Sequence, residues 1–310
     1  MSFTSIVKNE VSKIELNDIE KISELSAVIL SGLITDDSIK ITTENSSIAR
    51  RIFNLIKDIY KINPIITMRK GFNYQKKYLY ILQIKDKNEK ILNDIGLLEK
   101  NVVLNKPKDF IIDDEEEIRA YLRGIFLMTG SINDPKTSRY HLEFIVDNEK
   151  FGKFIMELLN KFNLNAKTLK RENKYMVYIK EAEKISDFLR VINAYNAVMY
   201  YEDIRIYRDH KNMTNRLNNC EQANVERTIQ TANNQIEDIE IIIENMGLNL
   251  LNEKERLVAE YRMKYKDVSL LELSEIISIE TNKPITKSGL YHRFKKINEI
   301  ANKIRENTKQ

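Results

Sequence analysis

Between residues 287 and 296 the chain reads Lys-Ser-Gly-Leu-Tyr-His-Arg-Phe-Lys-Lys. Lys287, Arg293, Lys295 and Lys296 are cations, Ser288 and His292 can donate or accept hydrogen bonds, and no acid stands among them. Those types suit a polyanion: cations meet phosphates, and Lys, Ser and His can bond base edges. Two more cation groups lie upstream, Arg69, Lys70, Lys76 and Lys77 in one and Lys167, Lys170, Arg171 and Lys174 in the other. Gathering of this kind is the footprint of a nucleic-acid partner, with a solvated face as the plain alternative. Other chemistries lack their residues. Cys220 is the one cysteine, and His141, His210 and His292 are the three histidines, so neither a disulfide nor a Cys- or His-rich metal site is expected. No Gly-rich phosphate loop is present, and the sequence points to no cofactor.

The spacing of apolar residues says what must carry these groups. Leu290, Phe294, Ile297, Ala301 and Ile304 follow at steps of 4, 3, 4 and 3, which predicts a helix with that stripe buried. At about 100° per residue, Ser288, His292 and Lys295 then lie opposite the stripe, flanked by Lys287, Tyr291, Arg293 and Lys296. Thr286 is placed to cap this helix. Two helices precede it, one from about Asn252 to Tyr265 and one from Ser269 to about Ile277. The last two stand in helix-turn-helix relation, a geometry in which the second helix enters the major groove. The stretch 209–247, rich in Asn, Arg, Thr and Gln and stopped by Gly247, reads as a helical linker. Its Cys220 needs no reactive role.

The first two thirds repeat. Lys77-Tyr-Leu-Tyr-Ile81 resembles Lys174-Tyr-Met-Val-Tyr-Ile179 at an offset of 174 − 77 = 97, which also brings Leu25 onto Leu122. Each half reads helix, strand, helix, strand, strand, helix, with strands at 39–42, 65–68, 78–84, 141–146, 166–169 and 175–179. Amphipathic helices span about 47–60 and 149–162. The whole chain of 310 residues is 42% hydrophobic with a formal charge of +4, enough apolar content for packed cores. No apolar run is long enough for a membrane span and no secretory leader is visible, so a cytoplasmic protein without membrane contact is expected.

Three segments carry a family likeness: Tyr121-Leu-Arg-Gly-Ile-Phe-Leu-Met-Thr-Gly130 and the residues following to Phe144, Asn218-Asn-Cys-Glu-Gln-Ala-Asn-Val-Glu-Arg-Thr228, and Thr286-Lys-Ser-Gly-Leu-Tyr-His-Arg-Phe294. With the weaker Glu24–Gly32, they resemble the WhiA family of bacterial sporulation and cell-division regulators. The resemblance implies an α+β N-terminal domain similar to LAGLIDADG homing endonucleases, a duplicated αββαββα, followed by an all-α helix-turn-helix domain similar to sigma-factor region 4. The expected divisions are 1–110 for the first repeat, 111–208 for the second, 209–247 for the linker and 248–310 for the helix-turn-helix. Ala27, Gly32, Gly124 and Gly130 would let the two motif helices pack closely, or would be ordinary helix ends. LAGLIDADG nucleases hold divalent metal on an acid near the end of each motif helix. Here the matching positions are Thr129 and the acid-free Leu30–Ile34, while Asp36, Asp37 and Asp134 lie beyond in turn sequence.

The leading expectation is therefore a non-catalytic transcription regulator of cell division, chromosome segregation or sporulation, nucleoid-associated, with double-stranded DNA as partner. RNA polymerase or another transcription regulator is a second candidate partner. Lys287, Ser288, Tyr291, His292, Arg293, Lys295 and Lys296 are the expected DNA readers. Arg69, Lys70, Lys76, Lys77, Lys170, Arg171 and Lys174 are candidates for backbone contacts, or for a protein-docking face. A mainly non-specific chromosome-associated protein and an active homing-type nuclease are the alternatives.

Overall fold

The computed structural model describes residues 2–70, 78–137 and 139–307. The chain forms two compact units, Met1–Arg208 and Asp209–Gln310. Among the described residues, no helix is long and apolar enough to cross a membrane.

The first unit opens with α1 (Phe3–Val11), a helix absent from the sequence expectation. Two copies of one motif come after it. The first is α2 (Asp18–Leu30), β1 (Leu33–Ile34), β2 (Ile39–Thr43), α3 (Ser46–Tyr60), β3 (Ile65–Lys70), β4 (Tyr78–Ile84) and α4 (Asn88–Asp94). A small ribbon, β5 (Leu98–Glu99) with β6 (Val102–Val103), and a 3-10 turn at Asp109–Ile111 lead to the second copy. That copy is α5 (Glu115–Thr129), β7 (Gly130–Ile132), β8 (Leu142–Val146), α6 (Glu149–Lys161), β9 (Lys167–Arg171), β10 (Lys174–Ile179) and α7 (Ala182–Val191). The two large sheets run β1-β2-β4-β3 and β7-β8-β10-β9, antiparallel throughout. This is the duplicated αββαββα that the resemblance implies.

Local chemistry explains the elements. Asn17 and Glu20 form a capping box on α2, and Asp114 and Glu117 form one on α5. The run Asp113–Glu117 is thus a helix start, its acids set against the positive end of the helix dipole. Alternation in the strands buries Ile39, Ile41, Leu82 and Ile84, in one core with Ile48, Ile52 and Ile56 of α3. The second sheet does the same with Leu142, Phe144, Val177 and Ile179, alongside Phe151, Ile155 and Leu158 of α6.

α2 and α5 pack against each other, and Gly124 is why they come so close. A Cβ at Gly124 would lie 2.6 Å from the Glu24 carbonyl oxygen and 2.8 Å from the Ala27 Cβ. Gly32 and Gly130 serve differently. Their added Cβ atoms would meet β2 backbone and the preceding turn of α5, so they are helix-end residues rather than part of the crossing. At the crossing Glu24 and Arg123 are fully buried. Arg51 of α3 donates two hydrogen bonds to the Glu24 carboxylate, one at 2.8 Å, and Arg123 Nε stands 3.3 Å from it. Burial lowers the Arg123 pKa, and Glu24 opposes that shift. One carboxylate therefore joins both repeats.

In the second unit, the last turns of α8 (Tyr195–Asn245) pack with α9 (Glu253–Lys264), α10 (Leu270–Thr281) and α11 (Lys287–Asn307). Ile239 and Ile242 share a core with Val258, Ala259, Leu273, Ile277, Leu290, Phe294 and Ile297. The stretch read as a linker, 209–247, runs through the C-terminal part of α8, a single helix of 51 residues, and its Ile239 and Ile242 belong to this core.

Candidate nucleic-acid interface

α10 and α11 are held in relation by their caps and the turn between them. Ser269 and Glu272 form a capping box on α10, and Asn282 ends that helix in the left-handed region at φ 52°. The Ser278 hydroxyl then accepts from the Ile285 N–H at 2.9 Å and donates to the Ser274 carbonyl at 2.7 Å, which ties the turn to α10. Thr286 Oγ1 accepts from the Gly289 N–H at 3.1 Å and so caps α11. Arg262 of α9 locks the preceding loop. It is almost fully buried over the Phe294 ring, donating to Gln235 at 3.0 Å and to the Val268 carbonyl at 2.7 Å. Burial pulls its pKa down.

Leu290, Phe294, Ile297, Ala301 and Ile304 are the buried residues of α11. Lys287, Ser288, Tyr291, His292, Lys295 and Lys296 are all exposed, and Arg293 is half-buried. The structure thus brings the seven expected readers together over the first three turns of one helix. Tyr291 and His292 stand edge to face at 5.9 Å. The cations differ in freedom. Lys296 Nζ lies 4.0 Å from Glu255, and Arg305, at the far end, is held by Asp238 at 2.8 Å and Glu237 at 3.6 Å. Among the described residues, Lys287 and Lys295 have no carboxylate partner.

The upstream groups fare differently. Lys76 and Lys77 lie outside the described residues. Arg69 pairs with Leu79 and Lys70 with Tyr78, so these neighbours project from opposite faces of their sheet. Arg69 shares the face turned away from α3 with Lys40, whereas Lys70 lies on the helix side. In the second sheet Arg171 faces Lys174 directly across the hairpin, on the side away from α6, with Lys167 further along. Lys170 pairs with Tyr175 on the helix side, its amine 6.0 Å from that ring, where both line a small groove with Glu149 and Lys153 of α6. Neither Arg69-Lys70 nor Lys170-Arg171 is a single patch. The outward faces also expose Leu33, Ile65, Ile145 and Leu169.

The ends of the motif helices hold no metal-binding acids. Thr129 closes α5, its hydroxyl donating to the Ile125 carbonyl at 3.0 Å, and Ser31 follows α2, donating to Ala27 at 2.8 Å. Asp134 caps a turn through the Lys136 N–H at 2.9 Å. α1 is laced to β7 beside this region, with Thr4 Oγ1 accepting from the Ile132 N–H at 2.9 Å and donating to its carbonyl at 2.8 Å. Its Lys8 amine lies 5.6 Å from the Phe126 ring and lines a groove with Leu127 and Met128, and burial lowers its pKa to about 8. The residues present do not fit a divalent metal. Among the described residues, no three His, Cys, Asp or Glu side chains converge.

Comparison with known proteins agrees with this architecture. Residues 19–98 match the WhiA N-terminal LAGLIDADG-like domain, 118–211 the WhiA LAGLIDADG-like domain, and 214–301 the WhiA C-terminal HTH domain. Proteins named probable cell division protein WhiA match over 98% of both chains, at 43% identity in Staphylococcus epidermidis and 41% in Staphylococcus aureus. The crystal structure of full-length DUF199/WhiA from Thermatoga maritima superposes with a TM-score of 0.58 at 28% identity, covering 98% of this chain and 99% of that one. The N-terminal LAGLIDADG domain of DUF199/WhiA superposes with a TM-score of 0.51 at 25% identity, over 62% of this chain and 90% of that one.

Proposed function

The chain belongs to the WhiA family, and from that premise we propose that it is a non-catalytic, sequence-specific DNA-binding regulator of transcription. Its processes are bacterial sporulation and/or cell division and chromosome segregation, carried out in the cytoplasm on the nucleoid. The observation that carries the reading is the exposed start of α11, where Lys287, Ser288, Tyr291, His292, Arg293, Lys295 and Lys296 stand clear of the core on a capped helix. Ser288, His292 and Lys295, opposite the buried stripe, are assigned to base edges. The flanking cations are assigned to phosphates.

The non-catalytic assignment rests on Thr129 and Ser31 at the helix ends and on a lysine lining the adjacent groove. A carboxylate pair is what a metal-assisted hydrolysis would require there. Supercoiled plasmid incubated with the protein and Mg²⁺ is expected to remain uncut; nicking would overturn this part.

Binding is tested by fluorescence anisotropy on a duplex from the gene's own promoter and on pooled random duplex, across a salt series. A preference of tenfold or more for the promoter duplex supports the regulator. Equal affinities with a steep salt slope would assign a non-specific chromosomal role instead. For the first unit, Arg69, Arg171 and Lys174 are the cations whose faces suit phosphate contact. If Arg69→Glu with Arg171→Glu leaves the salt slope unchanged, the exposed aliphatic residues beside them mark a protein face, with RNA polymerase or another regulator as its occupant.

A further inference from the structure

The segment Asn218–Thr228 is left without a role by α10 and α11. It lies on α8, exposed except for the half-buried Ala223 and Thr228, and the side-chain hydrogen bonds of Gln222, Asn224 and Thr228 stay within the helix. It is not a core element, so its residue types are free to meet something outside the chain. The direction of its face is fixed by the next turns of α8. There Gln235 and Asp238 are buried, Gln235 accepting from Arg262 and Asp238 paired with Arg305 and Asn298. Counting back from Gln235 by helical steps gives Thr231, Thr228, Arg227 and Asn224. The face that packs against α9 and α11 therefore continues past the bundle into solvent.

Where it leaves the bundle it forms one wall of a cleft of about 380 Å³. Arg227, Thr228 and Thr231 of α8 line it together with Arg262 of α9 and with Ser269 and Lys287 at the starts of α10 and α11. The lining holds three cations and no carboxylate. Thr228 and Thr231 donate to the carbonyls of Asn224 and Arg227, at 3.0 and 2.7 Å. Their hydroxyls are thus folded back on the helix. Arg262 is tied to Gln235 and the Val268 carbonyl, so it supplies field rather than contact. Arg227 is exposed and, among the described residues, has no carboxylate partner. Two untied cations thus face one acid-free cleft from different helices.

We propose that α8 is a third DNA-contacting element: Arg227 and Lys287 clamp one phosphodiester strand across this cleft, beside the start of the recognition helix. The proposal rests on the helix-turn-helix reading and extends the footprint from α11 onto α8. Phosphate contacts carry no base information, so the clamp strengthens binding to every duplex alike and sets the register in which α11 meets its bases.

The test is Arg227→Ala in the full-length protein, read by anisotropy on promoter and random duplexes over a salt series. Loss of one phosphate contact is expected to make the slope of log K against log salt shallower by about 0.9, which is about fivefold in affinity at 0.15 M. The loss should be equal on both duplexes, and Arg227→Lys should restore the slope. The thermal midpoint of Arg227→Ala should match the wild type, since the side chain is exposed. Unchanged slope and affinity for Arg227→Ala, while Lys287→Glu with Lys295→Glu abolishes binding, would overturn the clamp and leave the recognition helix intact. Binding indifferent to both changes would overturn the underlying reading. A loss confined to the promoter duplex would make Arg227 a base reader and also overturn the clamp.

Discussion

The most direct test of the recognition helix is the pair Lys287→Glu with Lys295→Glu. Seven cations lie between Lys283 and Arg305, but they are not equivalent. Arg305 is spent on Asp238 and Glu237, and Lys296 leans toward Glu255. Lys287 and Lys295 are exposed within the first three turns, one beside the cap and one opposite the buried stripe. Lys287 flanks the recognition face and is assigned to a phosphate, so its loss makes the slope of log K against log salt shallower by about 0.9, about fivefold in affinity at 0.15 M. Lys295 is assigned to a base edge, so its loss costs a further amount of about 1–3 kcal/mol on the promoter duplex, and the new carboxylates add repulsion to both. Anisotropy on the promoter duplex from 50 to 300 mM salt measures both quantities. His292→Ala is the matched control, expected to lower promoter affinity by about 1–3 kcal/mol while leaving the slope alone. Undiminished promoter binding by the double variant, with the wild-type slope, would refute the assignment of α11 to the groove.

The first unit offers three further tests. Glu24→Gln leaves Arg51 and Arg123 buried without a countercharge, and urea denaturation should show a loss of about 3–5 kcal/mol; Arg123→Met in the same chain should return part of it. Gly124→Ala drives a methyl into the Glu24 carbonyl, and a loss of about 1–3 kcal/mol is expected in the same assay. Lys8→Met should stabilise the protein at pH 7 by up to about 3 kcal/mol, because burial lowers the amine from 10.5 to about 8. The sign comes from proton counting. Between pH 8 and 10.5 the unfolded chain keeps a proton that the folded chain has shed, so the wild type gains stability as pH rises through that window. The advantage of Lys8→Met should fade across the same range.

Much of the fold was legible because its signals are local. The β-branched and aromatic run at Tyr78–Ile84 marks a strand, and the 4-3-4-3 stripe from Leu290 is a period that only a helix can bury. β1 and β7 are two and three residues long, too short to show any period. α1 buries Phe3, Val7 and Val11, three residues at steps of four, and its short length gave no longer pattern to read. Glu24 and Arg123 sit 123 − 24 = 99 residues apart, and each reads alone as a charge interrupting an apolar helix. Only the α2–α5 crossing shows that they are partners. α8 illustrates a different limit. The change of composition after Tyr207 marks where the helix loses its packing neighbours, not where it begins, which is at Tyr195.

The same geometry separates the basic groups. Neighbours in a strand project from opposite faces, so a run of two cations in a strand is divided between those faces. Arg69-Lys70 and Lys170-Arg171 are divided in this way, and the pair that does share a face, Arg171 with Lys174, is joined across a hairpin rather than along the chain. On a helix the relevant neighbours are three or four apart, and Ser288, His292 and Lys295 meet that spacing while Leu290 and Phe294 hold the opposite side in the core. Arg227, Thr228 and Thr231 meet it too, although the surrounding sequence looks like plain polar linker. A basic cluster therefore has to be weighed by the periodicity of the element that carries it. By that measure the second unit concentrates its charge where one duplex could touch it, and the first unit divides its own between two faces.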